Sequence, residues 1–428
     1  VMANGLDSIV TSIIGTEKSG KPKPNRVNYK NYQLIRLFPS SQGHVKELKE
    51  LKETETEDIK FWSEPMYNKT TDVVVAPDLV SELKIFLREK GIDFKVLITN
   101  IQKTIANQNP KMSKEQRDDL VSSQGHSMTW KRYHRYGAEI VRYMEYLTLK
   151  YPKLVEVITI GHSYEGQPIK MVKISNGRNK KNGSKSAVWI DAGMHAREWI
   201  GSAVATYIVS QLVEKNSSYA KLLENSDWMI LPVANPDGYE YSHTSDRLWR
   251  KTRSNHEWGK CEGVDPNRNF GYHWGEVKEG GASLDPCHET YAGPRAFSEP
   301  ETKAMADYIL ANKKDIRVYL TLHSYSQMWL VPWGYTYSKP SDYTELMSVA
   351  KRAIGAISKV HGTDYQLGPS ADLLYPTSGA SDDWAKGVAG IKYAYTLELR
   401  DRGTYGFLLP ASQIVPTARE IWAGIRTI

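Results

Sequence analysis

The chain has 428 residues, 40% hydrophobic and 25% charged, with a formal charge of +7. That length suits two or three domains, and the composition excludes wholesale disorder, collagen-like repeats and a disulfide-dense miniprotein. The charge is diffuse: residues 1–126 carry 19 Lys and Arg against 17 Asp and Glu, and the remainder 37 against 32, so no basic block marks a nucleic-acid partner.

No apolar run approaches the ~18–20 residues of a membrane helix. Two cysteines, Cys261 and Cys287, are too few for an all-cysteine zinc site or an iron–sulfur cluster. From the residues alone they are either one disulfide or two separate thiols. Sequons stand at Asn68, Asn182 and Asn216. Residues 1–26 are left unassigned, as leader remnant or added sequence. Leu6–Ile14 is apolar, but it contains Asp7 and lacks the basic flank and small-residue cleavage site of a signal peptide.

From Val27 the pattern becomes regular. Asn31–Phe38 alternates and ends at Pro39, which predicts a strand. Ser41–Leu51 has helical spacing, Ile59–Trp62 and Asp72–Val75 are short β-rich runs, and Asp78–Lys90 is an amphipathic helix closed by Gly91. Phe94–Ile101 is a further strand. The order strand–helix–strand–strand–helix–strand predicts an α+β open sandwich, ferredoxin-like, over residues 27–105. A polar connector, 106–126, follows. Within it Ser113-Lys-Glu-Gln116 is a capping box, and Lys111, Lys114 and Arg117 are basic residues in an exposed stretch, where proteases cut.

Beyond it strands and helices alternate. Strands are predicted at Val155–Ile160, Ile169–Ser175, Ala187–Ala192, Trp228–Val233, Ile316–Leu322, Met328–Val331 and Tyr393–Leu399. Helices are predicted at Tyr136–Leu149, Trp199–Val213, Glu299–Leu310, Tyr343–Val360 and after Pro410. This is an α/β pattern with both sheet faces covered, and chemistry belongs at the C-terminal ends of its strands.

Two histidines sit at such ends. His195-Ala-Arg-Glu198 follows Ala187–Ala192, and His323 follows Ile316–Leu322. Two imidazoles and a carboxylate form a zinc donor set that leaves a fourth position for water. Glu398, after the last strand, is a candidate general base or a member of an ion-pair network with Arg400 and Arg402. Arg250, Arg253 and Arg268 offer guanidinium forks suited to carboxylates and developing oxyanions.

Eight strings then stand in order: Asp191-Ala-Gly-Met-His195-Ala-Arg197-Glu198-Trp199-Ile200; Asn235-Pro-Asp-Gly-Tyr239; Arg247-Leu-Trp-Arg250-Lys-Thr-Arg253; Val264-Asp-Pro-Asn267-Arg268-Asn269; Leu322-His323-Ser324-Tyr325-Ser-Gln327; Tyr375-Pro-Thr-Ser-Gly-Ala-Ser-Asp382-Asp383-Trp384; Thr396-Leu-Glu398-Leu-Arg-Asp401; and Tyr405-Gly-Phe407-Leu-Leu-Pro-Ala-Ser-Gln413. Together they resemble the pancreatic-type zinc metallocarboxypeptidases of the carboxypeptidase A/B family. The match covers 127–428, and residues 27–105 resemble the family's activation domain.

The resemblance implies a procarboxypeptidase with a mixed eight-stranded twisted sheet flanked by helices. It implies one zinc ion on His195, Glu198 and His323, Glu398 as general base, and Arg253 as oxyanion stabiliser. Asn267, Arg268 and Tyr375 become the clamp on the substrate's terminal carboxylate. Arg197, Arg250, Ser324, Tyr325 and Phe407 line neighbouring subsites. Asp382 falls at the floor of the pocket for the last side chain, which implies a B-type preference for Lys and Arg ends, and Asp383 takes a structural role. A disulfide between Cys261 and Cys287 is implied, as are cis peptide bonds at Ser324–Tyr325, Pro332–Trp333 and Arg400–Asp401. So are secretion as a monomer, activation by a trypsin-like protease in the connector, and proteinaceous inhibitors as partners. No nucleic-acid or membrane partner is implied. The alternatives are an A-type preference for aliphatic or aromatic ends, or a non-catalytic peptide-binding relative; the complete set of ligands and base argues against the latter. The chain departs from the pattern at Ser254–Lys260, before His323 and at Gly387-Val-Ala-Gly390, none of them a proposed catalytic position.

Overall fold

The computed structural model describes residues 26–53, 58–177, 185–255, 261–276 and 281–428. Residues 1–25 of the unassigned segment 1–26, the Asn182 sequon and most of the Ser254–Lys260 loop lie outside them.

The N-terminal body is a four-stranded antiparallel sheet of β1 (Gln33–Phe38), β2 (Ile59–Phe61), β3 (Thr71–Val75) and β4 (Asp93–Ile98), in the order β2-β3-β1-β4. Side chains alternate across a strand. One face, with Ile35, Leu37, Val73 and Val75, packs on Leu48 of the helix Gln42–Glu53 and on Leu83 and Leu87 of the helix Val80–Glu89. The opposite parity, Leu34 and Val74 with Trp62 and Ile98, packs on Leu248, Phe407 and Leu408 of the larger body. Both faces are therefore covered, which explains why β3 is buried throughout.

The expected polar connector differs in part. Residues Ile101–Gln108 form a helix capped by Asn100, whose Oδ1 accepts from Lys103 N. This helix runs through the expected boundary at 105/106. A second helix, Lys114–Gln124, begins at the Ser113–Gln116 capping box.

The larger body is built on an eight-stranded mixed sheet. Its strands are β5 (Val155–His162), β6 (Pro168–Ile174), β7 (Ser186–Ala192), β8 (Ser226–Leu231), β9 (Ile316–Ser324), β10 (Met328–Val331), β11 (Gln366–Pro369) and β12 (Tyr393–Leu399). The order is β11-β10-β12-β9-β7-β8-β6-β5. The central strands β8, β7, β9 and β12 run parallel, and the two outer pairs introduce the antiparallel contacts. One face is covered by the helices Trp199–Glu214, Tyr343–His361 and Ile414–Ile425, and the other by the helix Pro300–Asn312 with Trp384 and Phe270. Central strands buried on both faces read as continuous apolar runs, as β7 and β9 do. The Cys261–Cys287 bridge is present, as are cis peptide bonds at the three expected positions. Among the described residues no helix is long and apolar enough to cross a membrane.

Candidate metal centre and substrate cleft

The site forms where β7, β9 and β12 end side by side. Gly193 lets the chain turn off β7: its φ is 64°, and a Cβ there would lie 2.6 Å from Ser202 Oγ. Asn235 anchors that loop, donating from Nδ2 to the carbonyls of Met194 and Lys251. His195 and Glu198 then fall on one short turn, with Glu198 at the N-terminus of the helix Trp199–Glu214, where the helix dipole favours an anion. His323 is the penultimate residue of β9 and lies in register with Glu398 on β12.

The three expected ligands converge. His195 Nδ1 is 2.8 Å from Glu198 Oε1, His323 Nδ1 is 3.0 Å from Glu198 Oε2, and the two Nδ1 atoms are 3.1 Å apart. The far side of each ring fixes its tautomer. His195 Nε2 lies 3.0 Å from Asp265 Oδ1 and donates to it. His323 Nε2 lies 3.1 Å from Thr321 Oγ1, whose own proton goes to Asp191 Oδ1 at 2.6 Å. Both Nδ1 atoms therefore present lone pairs to one point already faced by a carboxylate. Such an arrangement is repulsive without a cation at its centre, and it is the donor set and outer shell that zinc takes.

Asp265 and Thr321 were not singled out in the sequence. Asp265 lies inside the Val264–Asn269 string, and its buried carboxylate serves His195, Asn267 N and Arg250 at once. Burial works against its charge, yet Arg250 and His195 hold its pKa well below normal.

A cleft of about 600 Å³ opens over this centre. Glu398, Asn267, Arg268, Tyr375, Asp382, Arg250, Ser324, Tyr325 and Phe407 all line it. Burial raises the Glu398 pKa to about 8, with Glu198 adding to the effect and His323 opposing it. Arg268 donates to Tyr375 Oη at 3.2 Å, and its buried Nε has no hydrogen-bond partner among the described residues. Asn267 Oδ1 accepts from Ser381 N. Asp382 is 3% exposed, and burial raises its pKa. Its Oδ2 has no hydrogen-bond partner among the described residues. Asp383 instead binds the backbone N–H groups of Gly334 and Tyr335.

Two expected cleft residues stand elsewhere. The Arg253 guanidinium stacks over Tyr241 at 3.7 Å and Trp249 at 4.5 Å and pairs with Glu262, so it does not face the ligands. The arginine that does is Arg250, whose Nη1 is 3.9 Å from Glu198 Oε1 while Asp265 fixes its Nη2 at 2.7 Å. Arg197 lies beneath the ring of Phe407, 4.3 Å from its centroid, and pairs with Glu289 at 2.9 Å.

The N-terminal body closes the cleft. Trp62, Lys69, Thr70 and Asp72 line it alongside His195, Glu198, His323 and Glu398. Trp62 packs against Phe407 and Tyr325, at ring separations of 4.8 and 6.4 Å. Tyr325 Oη donates to Asp72 Oδ2 at 2.6 Å, and Arg36 holds that carboxylate from its own sheet.

Residues 140–424 match the family described as zinc carboxypeptidase, and residues 35–108 match the carboxypeptidase activation peptide. The chain belongs to the zinc carboxypeptidase family. As a zinc carboxypeptidase with its activation peptide attached, it is a zymogen. Its sequence is 47% identical to carboxypeptidase B of Astacus astacus over 304 residues, 70% of this chain and 97% of that one. It is 39% identical to carboxypeptidase A2 of Mus musculus over 400 residues, 92% of each. The crystal structure of thrombin activatable fibrinolysis inhibitor superposes with a TM-score of 0.83 at 36% identity, covering 93% of this zinc carboxypeptidase and 98% of that chain.

Proposed function

We propose that the activated enzyme removes Lys and Arg from the C-termini of peptides and proteins. The observation that carries this reading is the buried carboxylate of Asp382, one oxygen of which has no hydrogen-bond partner among the described residues. A charge in that setting costs free energy unless a cation answers it, so the pocket favours a cationic side chain. The A-type alternative draws on Met328, Leu330 and Ala380, which add apolar surface to the same cleft.

In this mechanism Arg268, Asn267 and Tyr375 hold the terminal carboxylate, for which a guanidinium fork is the best-matched partner. His195, Glu198 and His323 would hold a zinc ion, which would supply Lewis acidity to the scissile carbonyl and lower the pKa of water. Glu398 accepts the proton of the attacking water and returns it to the leaving amine. Arg250, in place of Arg253, faces the carbonyl oxygen as it gains negative charge. The C–O bond forms first; the C–N bond then breaks as the carbonyl re-forms and the amine takes up the proton from Glu398, and the last amino acid leaves free. Ser324, Tyr325 and Phe407 serve the residues upstream of the cut, with Arg197 supporting the Phe407 ring from beneath. Residues 27–108 act as the activation domain, the segment to 126 as its tether and 127–428 as the enzyme. Secretion fits the bridged Cys261 and Cys287, and inhibitor proteins that present a free C-terminus would enter by the same cleft.

Paired peptides ending in Lys and Leu test the preference. The trypsin-treated enzyme should cleave the Lys peptide with the higher kcat/KM. Asp382→Ala should lower that value by about 30- to 1000-fold and the Leu value far less. Because burial raises the Asp382 pKa, falling pH protonates it sooner than an ordinary carboxyl. The Lys-to-Leu ratio should therefore drop on acidification. Faster cleavage of Leu or Phe ends by the wild type would refute the preference and leave the hydrolytic chemistry standing.

A further inference from the structure

The two bodies are joined by a chain that is fixed at both ends and bare in the middle. Upstream, Gln108 is 2% exposed. Its Nε2 donates to the carbonyls of Phe407 and Leu409, and its Oε1 accepts from Arg247 Nε. Asn109 exchanges two hydrogen bonds with the backbone of Tyr133. Downstream, the helix Lys114–Gln124 starts at a complete capping box and stops at Gly125, with φ 75°. Only Pro110, Lys111 and Met112 lie between Asn109 and the Ser113 cap. Lys111 is exposed, and neither Lys111 nor Met112 donates a backbone hydrogen bond among the described residues.

A protease cleft takes its substrate as an extended strand, so a susceptible bond needs local chain free of other pairing. Three basic residues compete for that role. Lys114 is the first residue of the helix and is followed by Glu115. Arg117 lies in the helix body and is followed by Asp118 and Asp119. Presenting either one requires unwinding the helix and losing a capping box whose Ser alone contributes about 1 kcal/mol. Either bond would also place a carboxylate immediately after the cut. Lys111 carries neither cost, because its segment already lies outside any helix or strand and Met112 and Ser113 follow it.

We propose that Lys111–Met112 is the bond whose hydrolysis activates the zymogen, cut by a trypsin-like serine protease that reads the Lys111 side chain. The inference rests on the zymogen reading given above. Water adds across the peptide bond: Lys111 takes a new carboxylate and Met112 becomes an N-terminal ammonium. Gln108 and Asn109 then belong to the activation fragment, and the helix Lys114–Gln124 stays with the enzyme. Release of the fragment requires Gln108 to withdraw from Arg247 and from the carbonyls of Phe407 and Leu409.

Limited trypsin treatment of the full chain tests this, with intact-mass and N-terminal analysis run beside activity on a C-terminal Lys peptide. The first catalytic fragment should begin at Met112. Lys111→Gln should slow both its appearance and the rise in activity by at least about tenfold, and the Lys114→Gln/Arg117→Gln double variant should match wild type within about twofold. All three positions are exposed, and equal thermal midpoints would confirm that the variants fold. A first active fragment beginning at Glu115, Asp118 or any other residue would overturn the assignment, as would wild-type activation of Lys111→Gln. A chain cut at Lys111–Met112 whose activity stays at the uncut level would overturn the zymogen reading together with the assignment.

Discussion

Adjacent or near-adjacent residues of one type take different tasks in this site, and their partners decide which. Asp383 is consumed by the N–H groups of Gly334 and Tyr335, while Asp382 keeps an oxygen in the cleft with no hydrogen-bond partner among the described residues. Arg250 is pinned by Asp265 beside Glu198, while three residues on Arg253 lies against Tyr241 and Trp249. The sequence shows both arginines in one string, and nothing in their spacing says which one the Asp265 carboxylate captures. The ligands were more legible, because the strings that hold them resemble the zinc carboxypeptidase pattern, whereas a His-x-x-Glu spacing and a histidine at a strand end do not single them out alone. Asp265 and Thr321 escaped notice because their work is done through His195, Arg250 and His323. If Arg250 stabilises the oxyanion, Arg250→Ala should lower kcat by about 10²- to 10³-fold. Arg253→Ala should change kcat by only a few-fold and act mainly on thermal stability. The two values, measured side by side on a C-terminal Lys peptide, decide the assignment.

At the scale of elements, β7 and β9 were readable as apolar runs buried on both faces, and the helix Tyr343–His361 from the helical spacing of Leu346, Val349, Ala350, Ala353 and Ile357. β11 was not. It spans four residues, Gln366–Pro369, and contains Gly368 and Pro369, so it exists by pairing with β10 rather than by its own preference. The helix Ile101–Gln108 was read as the end of a strand and a connector, since Gln102, Asn107 and Gln108 look solvent-facing until Gln108 meets Arg247. The helix Pro300–Asn312 carries a further consequence. Glu301 in its first turn is 1% exposed and accepts from Tyr164 N at Oε1, while Oε2 has no partner among the described residues. Burial, with Glu299 and Asp237 nearby, pushes its pKa up to about 8. A carboxyl raised in the folded state stabilises below its unfolded pKa, and that contribution is lost as pH rises through 8. Stability should therefore fall between roughly pH 5 and 8 by up to about 1.4 kcal/mol per unit from this group. Denaturant titrations of Glu301→Gln should show that slope flattened. An unchanged slope would mean that Glu301 is not the group responsible.

The whole molecule is arranged so that one sheet serves two covers. One face of the activation sheet is closed by its own helices, and the other lies on Leu248, Phe407 and Leu408, with Trp62 and Asp72 lining the cleft beside His195, Glu198, His323 and Glu398. The two-body division was legible in the chain, from the change between an open-sandwich pattern and an α/β pattern. The docking was not, because Leu34 and Val74 read as ordinary strand residues and the face they cover belongs to residues far along the chain. What the molecule protects is the centre formed by His195, Glu198 and His323 with Glu398 across the cleft.

The most direct test of the account measures bound zinc and kcat/KM together, on trypsin-treated wild type and Glu398→Gln. Both should hold about one zinc per chain, since Gln alters none of the three ligands. The variant should lose about 10³-fold or more in kcat/KM, because an amide cannot take the water's proton. A zinc-loaded Glu398→Gln that cleaves C-terminal Lys within about tenfold of wild type would contradict the mechanism.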